Sequence, residues 1–209
     1  MHNCAHPQHQ GGTLLPAEAF PANPARLDMR SPFCARCFVG GEDHIPGELY
    51  HYQVPDVLYG LLSPEGFRHL RTVLVWSARL SGDIAEFGVF EGKTLCAMMQ
   101  VLQYVGIRKT AHGFDSFLGL PQATQRDSPS GTEGDIPLVE GLYAAPRVVS
   151  QGVLDTTGGH YVLHDGWLHD TCPAFDVPLC FASINVDLYD ATCCALEACG
   201  RCMVPWGCA

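Results

Sequence analysis

The stretch Glu86-Phe-Gly-Val-Phe-Glu-Gly-Lys-Thr-Leu95 sets the glycines and Gly-Lys-Thr of a phosphate site beside two carboxylates that oppose one. A phosphate loop wraps its ligand with backbone N–H groups and needs four residues between its first glycine and Gly-Lys-Thr. Gly88 and Gly92 enclose only three. Glu91 would meet an incoming pyrophosphate and Glu86 stands just behind it, so like charge opposes a phosphate at the helix start. Gly-x-Gly-x-x-Gly is missing as well, which weakens a dinucleotide reading. A ligand with an ammonium group and a cationic centre reverses the sign: the carboxylates attract it, and the glycines permit close backbone approach. S-adenosylmethionine is such a ligand, with Glu86, Gly88, Phe90, Gly92 and Thr94 as its cradle and Lys93 as a solvated first-turn residue. The two glycines have an equal claim as residues that let a helix pack closely on a strand. The phosphate alternative is a nucleotide hydrolase built on Gly92-Lys-Thr94, with Phe181–Asp187 as its metal strand.

Other candidates follow apolar runs. Asp115, after Thr110–Phe114, is placed to accept hydrogen bonds from ribose hydroxyls, with Ser116 beside it. Asp165, just past His160–His164, would take an adenine amino group next to Gly166, while Trp167 offers either a stacking face or ordinary packing. Asp187 follows Leu179–Val186. His112, His164 and His169 titrate near neutrality and are candidate bases, although a hydrogen-bonded or exposed histidine is the plainer reading of each. Cys34-Ala-Arg-Cys37 has half of a zinc-site spacing, with Cys4, His6 and His9 as conceivable further ligands. Cys199-Gly-Arg-Cys202 falls on or just after a predicted helix, where thiols are usually packed.

The elements that must position these residues alternate. A helix begins at Ser63-Pro-Glu-Gly-Phe67, with Phe67, Leu70, Leu74 and Ala78 at helical spacing. A strand at Asp83–Phe87 leads through the glycine turn into a helix carrying Leu95, Met98, Met99, Leu102 and Val105. Strands are expected at 110–114, 160–164 and 179–186, and helices at 146–154 and through Ala195, Leu196 and Cys199. Such alternation predicts a parallel sheet with helices on both faces and ligands at the carboxyl ends of its strands. Between Ser116 and Tyr143 lies a long Gly/Pro-rich segment, the mark of a lid or substrate loop; Asp127, Glu133 and Asp135 in it are solvated or touch the acceptor. Residues 1–53 are rich in Pro, Gly and His and read as an irregular arm preceding one domain over 54–209.

Twelve basic residues against 22 acidic ones leave a formal charge of −10, a field that repels nucleic acid. Apolar runs such as Thr72–Ala78 are too short to span a bilayer, and Met1-His-Asn-Cys-Ala-His-Pro lacks the basic start and apolar core of a signal peptide. The expectation is a cytoplasmic protein without membrane contact, its unevenly spaced cysteines reduced.

Five pieces together resemble a known family: Ser63-Pro-Glu, Gly82–Phe90, Phe114-Asp-Ser-Phe-Leu-Gly-Leu-Pro121, Gly166–Pro173 and Val186-Asp-Leu-Tyr-Asp-Ala-Thr192. In this order, over roughly 54–209, the chain is similar to the macrocin O-methyltransferase-like enzymes, which methylate sugar hydroxyls of macrolide and aminocoumarin antibiotics. The resemblance implies a Rossmann-like class I methyltransferase fold, S-adenosylmethionine as methyl donor, a small-molecule hydroxyl acceptor, and often a magnesium ion. Asp187 would then serve as both base and metal ligand. Three departures stand out. Asn185 occupies a position that is usually acidic, Glu91-Gly-Lys93 replaces a basic residue and two small ones, and Pro205-Trp-Gly-Cys-Ala209 stands where relatives continue into further strands. The last of these predicts a sheet short of its C-terminal strands, in a truncated chain or in one whose open edge a partner completes, with a homo-oligomer among the expected partners. Asn185 also raises the alternative of a catalytically inactive methyltransferase-like binding module.

Overall fold

The computed structural model describes residues 62–127 and 138–209. The arm over 1–53, the Cys4, His6, His9, Cys34 and Cys37 zinc candidates, and Glu133 and Asp135 lie outside the described residues.

Helix α1 (Pro64–Ser77) starts where its capping residues require: the Ser63 hydroxyl accepts the Gly66 amide at 3.0 Å, and Glu65 sits in the first turn. Its inward stripe of Phe67, Leu74 and Val75 is buried. Strand β1 (Asp83–Phe87) has a run of four buried residues, the pattern of a strand covered on both faces. It is the middle of a five-stranded parallel sheet of order β3-β2-β1-β4-β5, formed with β2 (Ala111–Asp115), β3 (Tyr161–Asp165), β4 (Leu179–Ile184) and β5 (Met203–Cys208). Helix α2 (Lys93–Tyr104) follows β1 and packs between α1 and α3 (Arg147–Asp155). The short α4 (Leu168–Thr171) follows β3, and α5 (Tyr189–Cys202) links β4 to β5.

Successive strand residues face opposite sides. Ala85, Phe87 and Phe114 join Phe175, Ala195, Ala198 and Cys199 in the core beneath α5. Phe87 stacks on Phe114 with ring centroids 4.7 Å apart, and Phe114 on His164 at 4.2 Å. His112 and His164 belong to this core. His112 Nδ1 lies 3.1 Å from His164 Nε2, and His112 Nε2 lies 3.4 Å from Asp83 Oδ2. Burial lowers the pKa of His112, and burial reinforced by His112 takes His164 down to about 4. Both rings pack against Phe175, and His164 also against Phe114. Cys199 and Cys202 are likewise packed; burial pushes the Cys199 thiol up to about 11.

Strand β5 is a difference from expectation. Pro205 and Gly207 both weaken a strand reading, and Trp206 adopts φ 72°, yet the segment pairs with β4 at Leu179–Met203 and, after a register shift, at Phe181–Cys208. Tertiary pairing overrides the local signal here. Among the described residues no helix is long and apolar enough to cross a membrane.

Candidate functional site

The glycine turn between β1 and α2 is built around a carboxylate of the chain itself. Asp115, the last residue of β2, accepts the Val89 and Phe90 amides on Oδ2, both at 2.8 Å, and the Phe117 amide on Oδ1 at 2.7 Å. The Gly92 amide is spent on the Val89 carbonyl at 2.8 Å. Three N–H groups that a phosphate loop would present to its ligand are therefore committed inside the fold, and Lys93 forms an ion pair with Glu91. Phe90, held at φ 50°, directs its ring toward Tyr143, which is itself at φ 61°; the two meet edge-on at 5.8 Å. Such backbone values in non-glycine residues cost energy and cluster at functional turns.

Both glycines of the turn are needed for close approach. A Cβ on Gly88, at φ 88°, would overlap the Asn185 carbonyl oxygen, so β1 and β4 could not converge where they end. A Cβ on Gly92, at φ 80°, would meet the Cα and carbonyl oxygen of Ser150 on α3 at 3.2 Å. Gly92 is thus a packing residue, whereas Gly88 also borders a cavity.

That cavity, about 330 Å³, opens at the carboxyl ends of the strands, the place where doubly wound sheets bind ligands. Of the residues singled out from sequence, Gly88, Phe90, Asp115, Ser116, Trp167 and Asp187 line it. Glu86, Gly92, Thr94, Asp165 and Gly166 do not. Thr94 is buried in the first turn of α2. Asp165 is exposed, 3.9 Å from Arg147 Nε, and the Gly166 amide donates to the Asp115 carbonyl at 3.0 Å. His169 reaches the wall with its ring largely in solvent. Tyr143, Asn185, Asp190 and Cys194 line the cavity without having been selected for binding. Tyr143 comes from the long segment after β2, whereas Asn185, Asp190 and Cys194 flank Asp187 within ten residues of sequence.

Glu86 is only 1% exposed, and neither of its carboxylate oxygens finds a hydrogen-bond donor in good geometry. Burial first, and the Asp115 charge second, push its pKa well above the ordinary carboxylate range, offset only in part by the nearby Leu95 amide. Asp187 stands at the cavity wall, its carboxyl also shifted upward by desolvation. Asp127, by contrast, is held toward the charged form by the Tyr189 and Thr124 amides and the Thr124 hydroxyl. The described wall carries four aspartates, Asp115, Asp127, Asp187 and Asp190, with the rings of Phe90, Phe114, Tyr143 and Trp167, and neither lysine nor arginine. Its charge and aromatic faces suit a cationic, partly aromatic ligand such as S-adenosylmethionine. The fit to magnesium is poor: Asp187 and Asn185 provide one carboxylate and one amide, and no cluster of three acidic, histidine or cysteine side chains is arranged for a metal among the described residues.

Comparison with known proteins agrees with this architecture. A family model described as Macrocin-O-methyltransferase (TylF) matches residues 48–207. The fold is similar to that of CalS11, described as a calicheamicin methyltransferase, with a TM-score of 0.59 and 21% identity over 83% of this chain and 72% of that one. It is also similar to the O-methyltransferase NovP, with a TM-score of 0.54 and 22% identity over 66% of this chain and 60% of that one. Comparison with curated protein sequences gave no match. With the family model covering the glycine turn, the Asp115 hub and the Asp187 wall in one stretch, the chain belongs to the macrocin O-methyltransferase family.

Proposed function

We propose that this chain transfers a methyl group from S-adenosylmethionine to a hydroxyl of a sugar or other small natural product. The observation that carries the reading is the convergence of Gly88, Asp115, Trp167 and Asp187 on one cavity at the strand ends. When bound, S-adenosylmethionine supplies an electrophilic methyl group on a positively charged sulfur. The chain's own residues do the rest. The aspartate-rich wall attracts the cation, Trp167 and Phe90 offer faces for its adenine, and the remaining lone pair on Asp115 Oδ1 is a partner for a ribose hydroxyl. Asp187 accepts the proton of the acceptor hydroxyl as the methyl group moves. Its pKa, raised by desolvation, makes it a stronger base than an exposed aspartate. The main contribution of the fold is holding donor and acceptor in line.

The test is transfer of a labelled methyl group from S-adenosylmethionine to a panel of hydroxylated glycosides. Asp187→Asn is expected to lower kcat by about 10²–10⁴-fold, with donor affinity reduced far less, because three other aspartates remain on the wall. A variant as active as the parent would remove Asp187 from the reaction. A second reading, a module that binds the donor without turnover, is favoured by Asn185, whose amide accepts no proton. Donor binding with no transfer to any acceptor, in parent and variant alike, would select it.

A further inference from the structure

We propose that Asp127 is a positioning residue, capping α5 from the segment after β2 and so fixing the direction of Asp187, two residues before the capped amide. The inference rests on the reading of Asp187 as proton acceptor. Helix α5 starts without a cap of its own: Leu188 stands at the N-cap and provides no side-chain hydrogen bond. A helix start leaves its first amides unpaired, and an acceptor placed there also meets the positive end of the helix. Asp127 supplies it from 62 residues away, its Oδ1 accepting the Tyr189 amide at 2.6 Å. Oδ2 accepts the amide and the hydroxyl of Thr124, both at 2.7 Å, so the carboxylate is oriented by its own turn, the 3-10 segment Gln125–Asp127, before it reaches α5.

A second strap lies beside the first. Arg126 Nη1 is 3.3 Å from Asp190 Oδ1, and its guanidinium lies 5.2 Å from the centre of the Tyr189 ring. An exposed ion pair of this kind contributes little stability alone. Its effect here is to offset the mutual repulsion of Asp127, Asp187 and Asp190, all of which face the same cavity. Thr124 and Asp127, from the segment after β2, and Asp187 and Leu188, after β4, all line the cavity, and the Asp127–Tyr189 bond is the tie between the two segments. Because Asp187 is two residues before Tyr189, a shift of that amide shifts the base, and catalysis is sensitive to displacements of about 1 Å.

Amide hydrogen exchange and carboxyl carbon NMR on the full chain test this without any acceptor. In Asp127→Ala the Tyr189 amide is expected to exchange about tenfold faster or more, and the backbone and carboxyl carbon shifts of Asp187, read at one fixed pH, to move from their values in the parent chain. Asp127→Asn, which keeps an acceptor oxygen, should restore much of both. Unchanged Tyr189 exchange and unchanged Asp187 shifts in the alanine variant would overturn the proposal, as would an asparagine variant no better than alanine. Should Asp127→Ala fail to fold, Arg126→Ala and Asp127→Asn carry the comparison, with Tyr189 exchange intermediate in the asparagine variant expected and exchange identical to the parent in both contradicting it. Failure of the methyltransfer reading shows elsewhere, as absent binding of S-adenosylhomocysteine by the parent chain.

Discussion

Two carboxylates next to the same turn have opposite fates, and their surroundings decide which. Asp115 receives three backbone amides and becomes the hub of the turn. Glu86, at the end of β1, is buried without a well-placed donor. Removing the hub should therefore be costly: Asp115→Ala leaves buried amides unpaired and is expected to lower unfolding free energy by about 1–3 kcal/mol in a denaturant titration. An alanine variant as stable as the parent would show that water replaces the carboxylate without loss. For Glu86 the sign runs the other way. A carboxyl whose folded pKa is raised contributes stability below its unfolded value, near 4, and loses that contribution as pH rises toward the folded value. Glu86→Gln carries no charge at any pH, so in the ligand-free protein its stability relative to the parent should grow as pH rises above about 4 and then level off. Thermal melts across that range are the check, and a difference that does not vary with pH would contradict it. A buried acid this costly, one residue from the turn that borders the cavity, fits the trade-off between stability and function that active sites commonly show.

At the scale of elements, the same residue type is required in one place and dispensable in another. Gly88→Ala would drive a Cβ into the Asn185 carbonyl oxygen at a left-handed φ, and should destabilise by more than about 1 kcal/mol. Gly152 is exposed within α3, and a Cβ there would have no atom within 4 Å, so alanine should be tolerated and gain about 0.5–1 kcal/mol. Denaturation of the two variants side by side separates them, and equal destabilisation would show that the convergence of β1 and β4 is not what Gly88 serves. These elements were legible because periodicity and punctuation agreed: β1 falls where expected at Asp83–Phe87, and β2, β3 and α3 fall within a residue of expectation. The less legible parts share a cause. Strand β5 contains Pro205 and Gly207, so its strand character comes from pairing with β4. The cap of α5 lies 62 residues away at Asp127, where no local window reaches it. Tyr143, Asp190 and Cys194 become site residues only when the chain folds them against the strand ends.

For the whole molecule, charge and topology point to one kind of ligand. The chain carries a formal charge of −10, and the described wall of its cavity repeats that sign at close range. The turn that most resembles a phosphate loop has already folded around Asp115, and its lysine is paired with Glu91. The two acids of that turn are not the source of attraction that their spacing suggests. Glu91 is paired with Lys93 and Glu86 is off the wall, so the carboxylates that line the cavity are the aspartates, of which Asp190 is paired with Arg126. Membership of the macrocin O-methyltransferase family fits a donor with a positively charged sulfur, and Asn185 sets an amide two residues from Asp187 on the cavity wall. Calorimetric titration of the full chain with S-adenosylmethionine, and in parallel with ATP and magnesium, tests the preference for a cation most directly. Saturable heat with S-adenosylmethionine and none with ATP is the predicted result; saturable binding of ATP, with none of S-adenosylmethionine, would contradict it.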